Sequence, residues 1–201
     1  MLKELLKNKK FNRIIDKCLK NSDVLDAILF GSIVRGKEEP KDIDILIIFK
    51  TLIDREFVYN LRKEFENETF NIHIMPLTYA EMFAPSFLAR EGIIFEGYSL
   101  KFKKNFCSTF GLASFVLFKY HLNNKTNSEK MRFYYALHGR NKSVGVLNIF
   151  NSYKFSDKFI ISPANESEKI RDFLNKNEIK YEETPILLPD RLARRAFLED
   201  R

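Results

Sequence analysis

The sequence predicts an α/β fold in two parts: an α/β domain over residues 1–100 and a smaller basic α+β domain over residues 101–201. Three observations carry this. Helix-period and short apolar runs alternate through the first hundred residues, which is the pattern of strands crossed by helices. Hydrophobic residues make up 45% of the 201 residues, enough apolar surface for substantial cores. Charge changes character near residue 100: residues 1–100 hold 15 basic and 16 acidic side chains, and residues 101–201 hold 19 and 11, so the net +7 resides in the second half.

Leu2, Leu5, Leu6, Ile14, Ile15 and Cys18 are spaced for one face of a helix over 2–20. Asn21-Ser22-Asp23 breaks it. Val24–Phe30 reads as a buried strand, ended by Gly31-Ser32, where Ser32 is placed to cap a short helix. After a polar turn at 38–41, Asp42–Phe49 is a second strand. Phe57, Val58, Leu61 and Phe65 give 51–68 a helical face. Phe70–Met75 is a third strand, closed by Pro76. Thr78 caps a helix to about Arg90, broken near Pro85 and stopped by Gly92. In the second half, 106–122 and 128–138 read as helices, 144–150 and 158–161 as short strands, 166–175 as a helix and 186–188 as a last strand. Two helices followed by a hairpin resemble a winged-helix arrangement.

Several function classes are excluded as expectations. No stretch approaches the roughly 18 consecutive apolar residues of a membrane span, and residues 1–7 alternate charge with apolar residues, unlike a signal segment. A cytoplasmic protein without a membrane partner is expected. Cys18 and Cys107 alone support neither a disulfide scaffold nor a four-cysteine zinc site.

The segment that carries chemistry runs Phe30-Gly31-Ser32-Ile33-Val34-Arg35-Gly36, followed by Asp42-Ile43-Asp44-Ile45. Alternate residues of a strand face the same way, so Asp42 and Asp44 are expected to project together. Two neighbouring carboxylates repel unless a cation lies between them, and hard oxygen ligands suit Mg²⁺ or Mn²⁺. The Gly31-Ser32 turn offers N–H groups and a hydroxyl to a phosphate chain. An isolated Asp-X-Asp is more often a solvated strand start; the preceding Gly-Ser between two apolar strands points instead to a metal–nucleoside triphosphate site.

This segment resembles the DNA polymerase β-type nucleotidyltransferase superfamily, and its minimal nucleotidyltransferase branch most closely. Gly31-Ser32, the spacer, Asp42-Ile43-Asp44 and the Ser-X-X-Arg-Gly form ending at Arg35-Gly36 carry the resemblance, which covers about residues 10–98. Leu88–Gly97 resembles the way such domains end. The resemblance implies a nucleotidyltransferase-fold mixed sheet flanked by helices. It implies Gly31 and Ser32 on the β- and γ-phosphates, Arg35 as a further phosphate contact, and Asp42 and Asp44 as catalytic metal ligands. It implies Mg²⁺ or Mn²⁺ as cofactor and a nucleoside triphosphate, ATP foremost, as substrate. Active members place a third carboxylate on the next strand; here Phe70–Met75 offers Asn71 and His73. His73 is a candidate metal ligand, or a packed strand histidine.

In the basic half, Lys130, Arg132, Arg140 and Lys142 are candidates for nucleic-acid phosphates, with Tyr134 or Tyr135 to stack on bases. The bland alternative is a helix burying Met131, Tyr134, Tyr135 and His138 with its cations solvated. Arg191, Arg194 and Arg195 form a second basic cluster. The expected function is transfer of a nucleoside monophosphate to an RNA, protein or small-molecule acceptor; some minimal members of the superfamily modify a partner toxin protein. The alternative is a nucleotide- or nucleic-acid-binding module weakened by loss of the third acid, and a third reading is a DNA-binding regulator.

Overall fold

The computed structural model describes residues 2–35, 41–141 and 143–193. The expectations for the turn at 38–41, for Gly36, for Lys142 and for Arg194 and Arg195 fall wholly or partly outside these residues. The chain divides into two compact units, Met1–Phe110 and Gly111–Arg201.

In the first unit, the helix expected over 2–20 is two: α1 (Leu2–Leu5) and α2 (Lys9–Lys20). Asn8 separates them because its side chain accepts from the N–H groups of Lys10 and Phe11, capping α2 in place of a preceding turn. Phe11, Ile14, Ile15 and Cys18 fall at i, i+3, i+4 and i+7 and are all buried. Strand β1 (Val24–Phe30) runs into a 3-10 turn, Gly31–Ile33, and β2 (Ile43–Phe49) returns antiparallel to it. The helix expected to be capped by Ser32 is therefore this single turn, whose Gly31 carbonyl accepts from Val34 and Arg35. Helix α3 (Arg55–Asn67), capped by Asp54, crosses to β3 (Ile72–Thr78), which pairs parallel with β2. Pro76 lies within β3 rather than closing it. It is tolerated because β3 is an edge strand, where a missing donor leaves no ladder bond broken.

Thr78 and Glu81 form a capping box on α4 (Tyr79–Phe83). The chain breaks around Pro85, as expected, and resumes as α5 (Arg90–Glu96). Gly92 lies inside α5; the helix ends at Gly97, whose ψ of 150° leaves the helical region, and a Cβ there would meet the Ile93 carbonyl oxygen at 2.4 Å. Short strands β4 (Tyr98–Ser99) and β5 (Lys104–Asn105) complete a five-stranded mixed sheet in the order β3-β2-β1-β4-β5.

Both faces of this sheet are covered. Ile45, Ile47 and Phe49 of β2 pack with α2 and α3, where Phe11, Phe65 and Phe70 meet edge to face or tilted. Leu46 and Ile48 of β2 pack on the opposite face with Ile28, Met82, Ile93 and Phe106. Asp44 shares the parity of Leu46 and Ile48, and so belongs to this second face where the cover ends.

The second unit is a four-stranded antiparallel sheet, in the order β7-β8-β6-β9, with helices. Strand β6 (Leu112–His121) occupies most of the segment expected as the 106–122 helix; a 3-10 turn over Phe106–Phe110 ends the first unit. Its run of Phe115, Val116, Leu117 and Phe118 is apolar without a break, so the sequence there lacks the alternation that distinguishes a strand from a buried helix. Without that helix, a winged-helix pair does not form; the unit remains α+β. Helix α6 (Asn127–His138) opens with a capping box of Thr126 and Glu129. The expected strand 144–150 is instead the helical turn α7 (Val146–Ile149). Strands β7 (Tyr153–Ser156) and β8 (Phe159–Pro163), helix α8 (Ser167–Lys176) and β9 (Lys180–Pro189) follow, then the turn α9 (Asp190–Ala193). The last strand extends well beyond the expected 186–188 because β6 pairs with it along its full length. Among the described residues, no helix is long and apolar enough to cross a membrane.

Candidate nucleotide and metal site

The site is built where β1 ends and β2 begins. Phe30, the last residue of β1, pairs with Asp44, and Asp44 pairs on its other side with His73 of β3. Three adjacent strands therefore bring the Gly31 turn, a carboxylate and an imidazole to one level of the sheet. His73 Nδ1 lies 3.3 Å from Asp44 Oδ1. Gly31 adopts φ +76°, and a Cβ on it would come within 2.4 Å of Asp44 Oδ2. Glycine is thus required twice over: for a left-handed backbone and for the space the Asp44 carboxylate fills. Ser32 follows in the turn, half-buried.

Asp42 precedes the first ladder residue of β2 and is exposed. Strand pairing fixes where Asp44 points but not Asp42. The chain at Asp42 is held from both sides by one residue: Asn71 Nδ2 donates to the Lys41 carbonyl at 2.7 Å, and the Ile43 N–H donates to the Asn71 carbonyl at 2.9 Å. Asp42 lines a groove of about 330 Å³ with Ile33, Ile43, Phe70 and Asn71. Asn71, considered above only as an alternative to the third acid, is a clamp on the Asp42 segment. Among the described residues, no three His, Cys, Asp or Glu side chains gather into a ready metal centre.

Arg35 leaves the turn and pairs with Glu96, at the end of α5, with Nη1 3.0 Å from Oε2. Arg35 is 56% exposed, so the pair is screened and readily exchanged for another anion. Sequence reasoning missed Glu96; only the packing of α5 against the second face of the sheet brings it to Arg35, and no local signal marks it.

In the second unit, α6 buries Phe133 and Leu137, while Met131 and Tyr135 are 48% and 38% exposed. The helical face proposed above, with Met131 and Tyr135 inside, is rotated outward. Lys130 is half-buried and Arg132 exposed. Arg140 is also exposed, with its guanidinium 4.6 Å from the centre of the Tyr135 ring. Tyr134 stacks on His138, whose pKa is pushed below the usual imidazole value by burial and then by Lys154.

Residues 12–97 match the family described as Polymerase beta, Nucleotidyltransferase. Over this segment the chain is similar to a nucleotidyltransferase domain. The segment's limits run from within α2 to the residue that ends α5, and so take in the whole Gly31, Asp44 and His73 arrangement. No curated protein matches the chain. Two solved structures are similar to part of it. One is described as the crystal structure of a toxin-antitoxin with AMP-PNP, with a TM-score of 0.35 and 19% identity over 44% of this chain and 71% of that chain. The other is a tri-AMPylated Shewanella oneidensis HEPN toxin in complex with MNT antitoxin, with a TM-score of 0.30 and 19% identity over 44% and 69%.

Proposed function

We propose that the chain transfers a nucleoside monophosphate from a nucleoside triphosphate, ATP foremost, to an acceptor hydroxyl, with the Gly31–Asp44 corner of the nucleotidyltransferase domain as its site. The observation that carries this reading is the cradle: Gly31 leaves room for one thing only, the Asp44 carboxylate. A sheet built for packing alone would gain nothing by keeping an acid there. Asp44 and Asp42 are hard oxygen donors suited to Mg²⁺ or Mn²⁺, ions often held by one or two carboxylates together with substrate phosphates. Asp44 and Asp42 would hold such an ion, and bound there it would supply neutralisation of charge on the phosphates. The chain does the rest. Gly31 and Ser32 hold the β- and γ-phosphates, and Arg35 exchanges Glu96 for a phosphate oxygen. Asn71 keeps the Asp42 segment fixed. The attacking hydroxyl oxygen bonds to the α-phosphorus, the bond from that phosphorus to the α,β-bridging oxygen breaks, pyrophosphate leaves with that oxygen, and the hydroxyl proton passes to water.

The acceptor is an RNA, a protein or a small molecule; within the second unit taken by itself, exposed Arg132, and Arg140 lying over Tyr135, suit a phosphate backbone, while Lys130 is half-buried. His73 in the position of a third acid favours one second reading, a metal–nucleotide-binding module with weakened transfer. Label transfer separates the two. Each α-labelled triphosphate is incubated with Mg²⁺ or Mn²⁺ and cell extract, using wild type and a folded Asp42→Asn, Asp44→Asn double variant. Label on RNA or protein with wild type alone supports transfer. Metal-dependent nucleotide binding without label supports the module, and neither outcome in wild type refutes the site.

A further inference from the structure

We infer that His73 is a metal ligand that tunes this site to borderline divalent cations, Mn²⁺ or Co²⁺, in preference to Mg²⁺; the inference rests on the site proposed above and specifies its ion. Three observations support it. The strand register fixes His73 directly opposite Asp44 on the same face, so the two side chains are neighbours by the pairing of β2 with β3. The two donor atoms, Nδ1 and Oδ1, stand 3.3 Å apart. That separation suits adjacent corners of a coordination shell with bonds of about 2.2 Å, which place neighbouring donors roughly 3 Å apart. It is long for a charge-assisted hydrogen bond, which closes to about 2.7–2.9 Å. Finally, 59% of the His73 side-chain surface is accessible, so the ring is open to solvent while Nδ1 stands beside Asp44.

Ligand chemistry sets the direction of the preference. Carboxylate and water oxygens serve Mg²⁺, which demands near-ideal geometry and releases water reluctantly; an imidazole nitrogen adds affinity for ions later in the divalent series. A third carboxylate in place of His73 would add charge and favour Mg²⁺. A neutral imidazole instead leaves the protein shell less negative and more nitrogen-rich. Asn71 does not compete for the role, because its side-chain amide donates to the Lys41 carbonyl.

The test is a Mn²⁺ titration of the full chain followed by electron paramagnetic resonance, with a non-hydrolysable triphosphate present and Mg²⁺ as competitor. Pulsed spectra report nitrogen coupled to the bound Mn²⁺. Wild type is expected to hold Mn²⁺ against excess Mg²⁺ and to show imidazole nitrogen coupling. His73→Ala should lose that coupling and weaken Mn²⁺ binding about tenfold. His73→Asp should restore Mg²⁺ competition while also losing the coupling. Equal Mn²⁺ affinity and unchanged coupling in wild type and His73→Ala overturn the role of His73. Asp44→Asn separates that failure from failure of the site itself: if it binds Mn²⁺–nucleotide as wild type does, the site is wrongly placed and both readings fall.

Discussion

Replacing Gly31 with alanine tests the cradle directly. The backbone there has φ +76°, a region where an L-residue with a Cβ pays about 1–2 kcal/mol. The added Cβ would also lie 2.4 Å from Asp44 Oδ2, about 1 Å inside the 3.4 Å at which ordinary contact begins. The carboxylate must move, because the Gly31 backbone is held between β1 and the carbonyl bonds of the turn. A shift of about 1 Å in a catalytic group costs on the order of 100-fold in rate. Gly111→Ala is the internal control: its φ is +71°, but nothing lies within 4 Å of the new Cβ. Urea unfolding followed by circular dichroism should show a loss of about 1–2 kcal/mol for Gly111→Ala and a larger one for Gly31→Ala, which adds the overlap with Asp44. Metal–nucleotide binding and label transfer should collapse only in Gly31→Ala. If Gly31→Ala binds and transfers like wild type, Asp44 is not part of the site and the proposal is wrong.

Other consequences follow from the same geometry. Asp26 is buried and accepts from the Ser99 hydroxyl at 2.6 Å, and burial raises its pKa above the usual carboxylate range despite these bonds. The folded state thus holds this proton more tightly than the unfolded chain, whose Asp titrates near about 4. Its stabilising contribution is complete below that pH and lost as pH rises through the raised value; Asp26→Asn should remove this part of the pH dependence in urea titrations. Glu96→Gln should leave stability unchanged, since a screened pair contributes about 0–1 kcal/mol, yet tighten triphosphate binding by releasing Arg35; an unchanged calorimetric affinity would remove Arg35 from the site. Phe65→Ala removes a side chain with 1% exposure from the Phe11–Phe65–Phe70 cluster and should cost about 3–5 kcal/mol of first-unit stability by urea unfolding.

The amino-acid sequence alone determined where the helices facing the first sheet lie, because burial on one face leaves a 3.6-residue period in Ile14, Ile15 and Cys18, and in Val58, Leu61 and Phe65. It also marked the Gly31-Ser32 turn and the position of Asp44 on β2, which are local features, whereas Asp42, expected to project with Asp44 from the same strand, lies just before β2. It did not distinguish β6 from a helix, because Phe115–Phe118 is an unbroken apolar run that masks the alternation visible in burial from Val116 to His121. Nor did it show that 144–150 forms the α7 turn, where local strand propensity yields to the packing around Leu147. Tertiary structure alone decided the company of the site. His73 meets Asp44 through strand register across 29 residues of chain, and Glu96 meets Arg35 across 61. Such pairings depend on which strands lie side by side, and that is settled by the core as a whole rather than by any stretch of sequence.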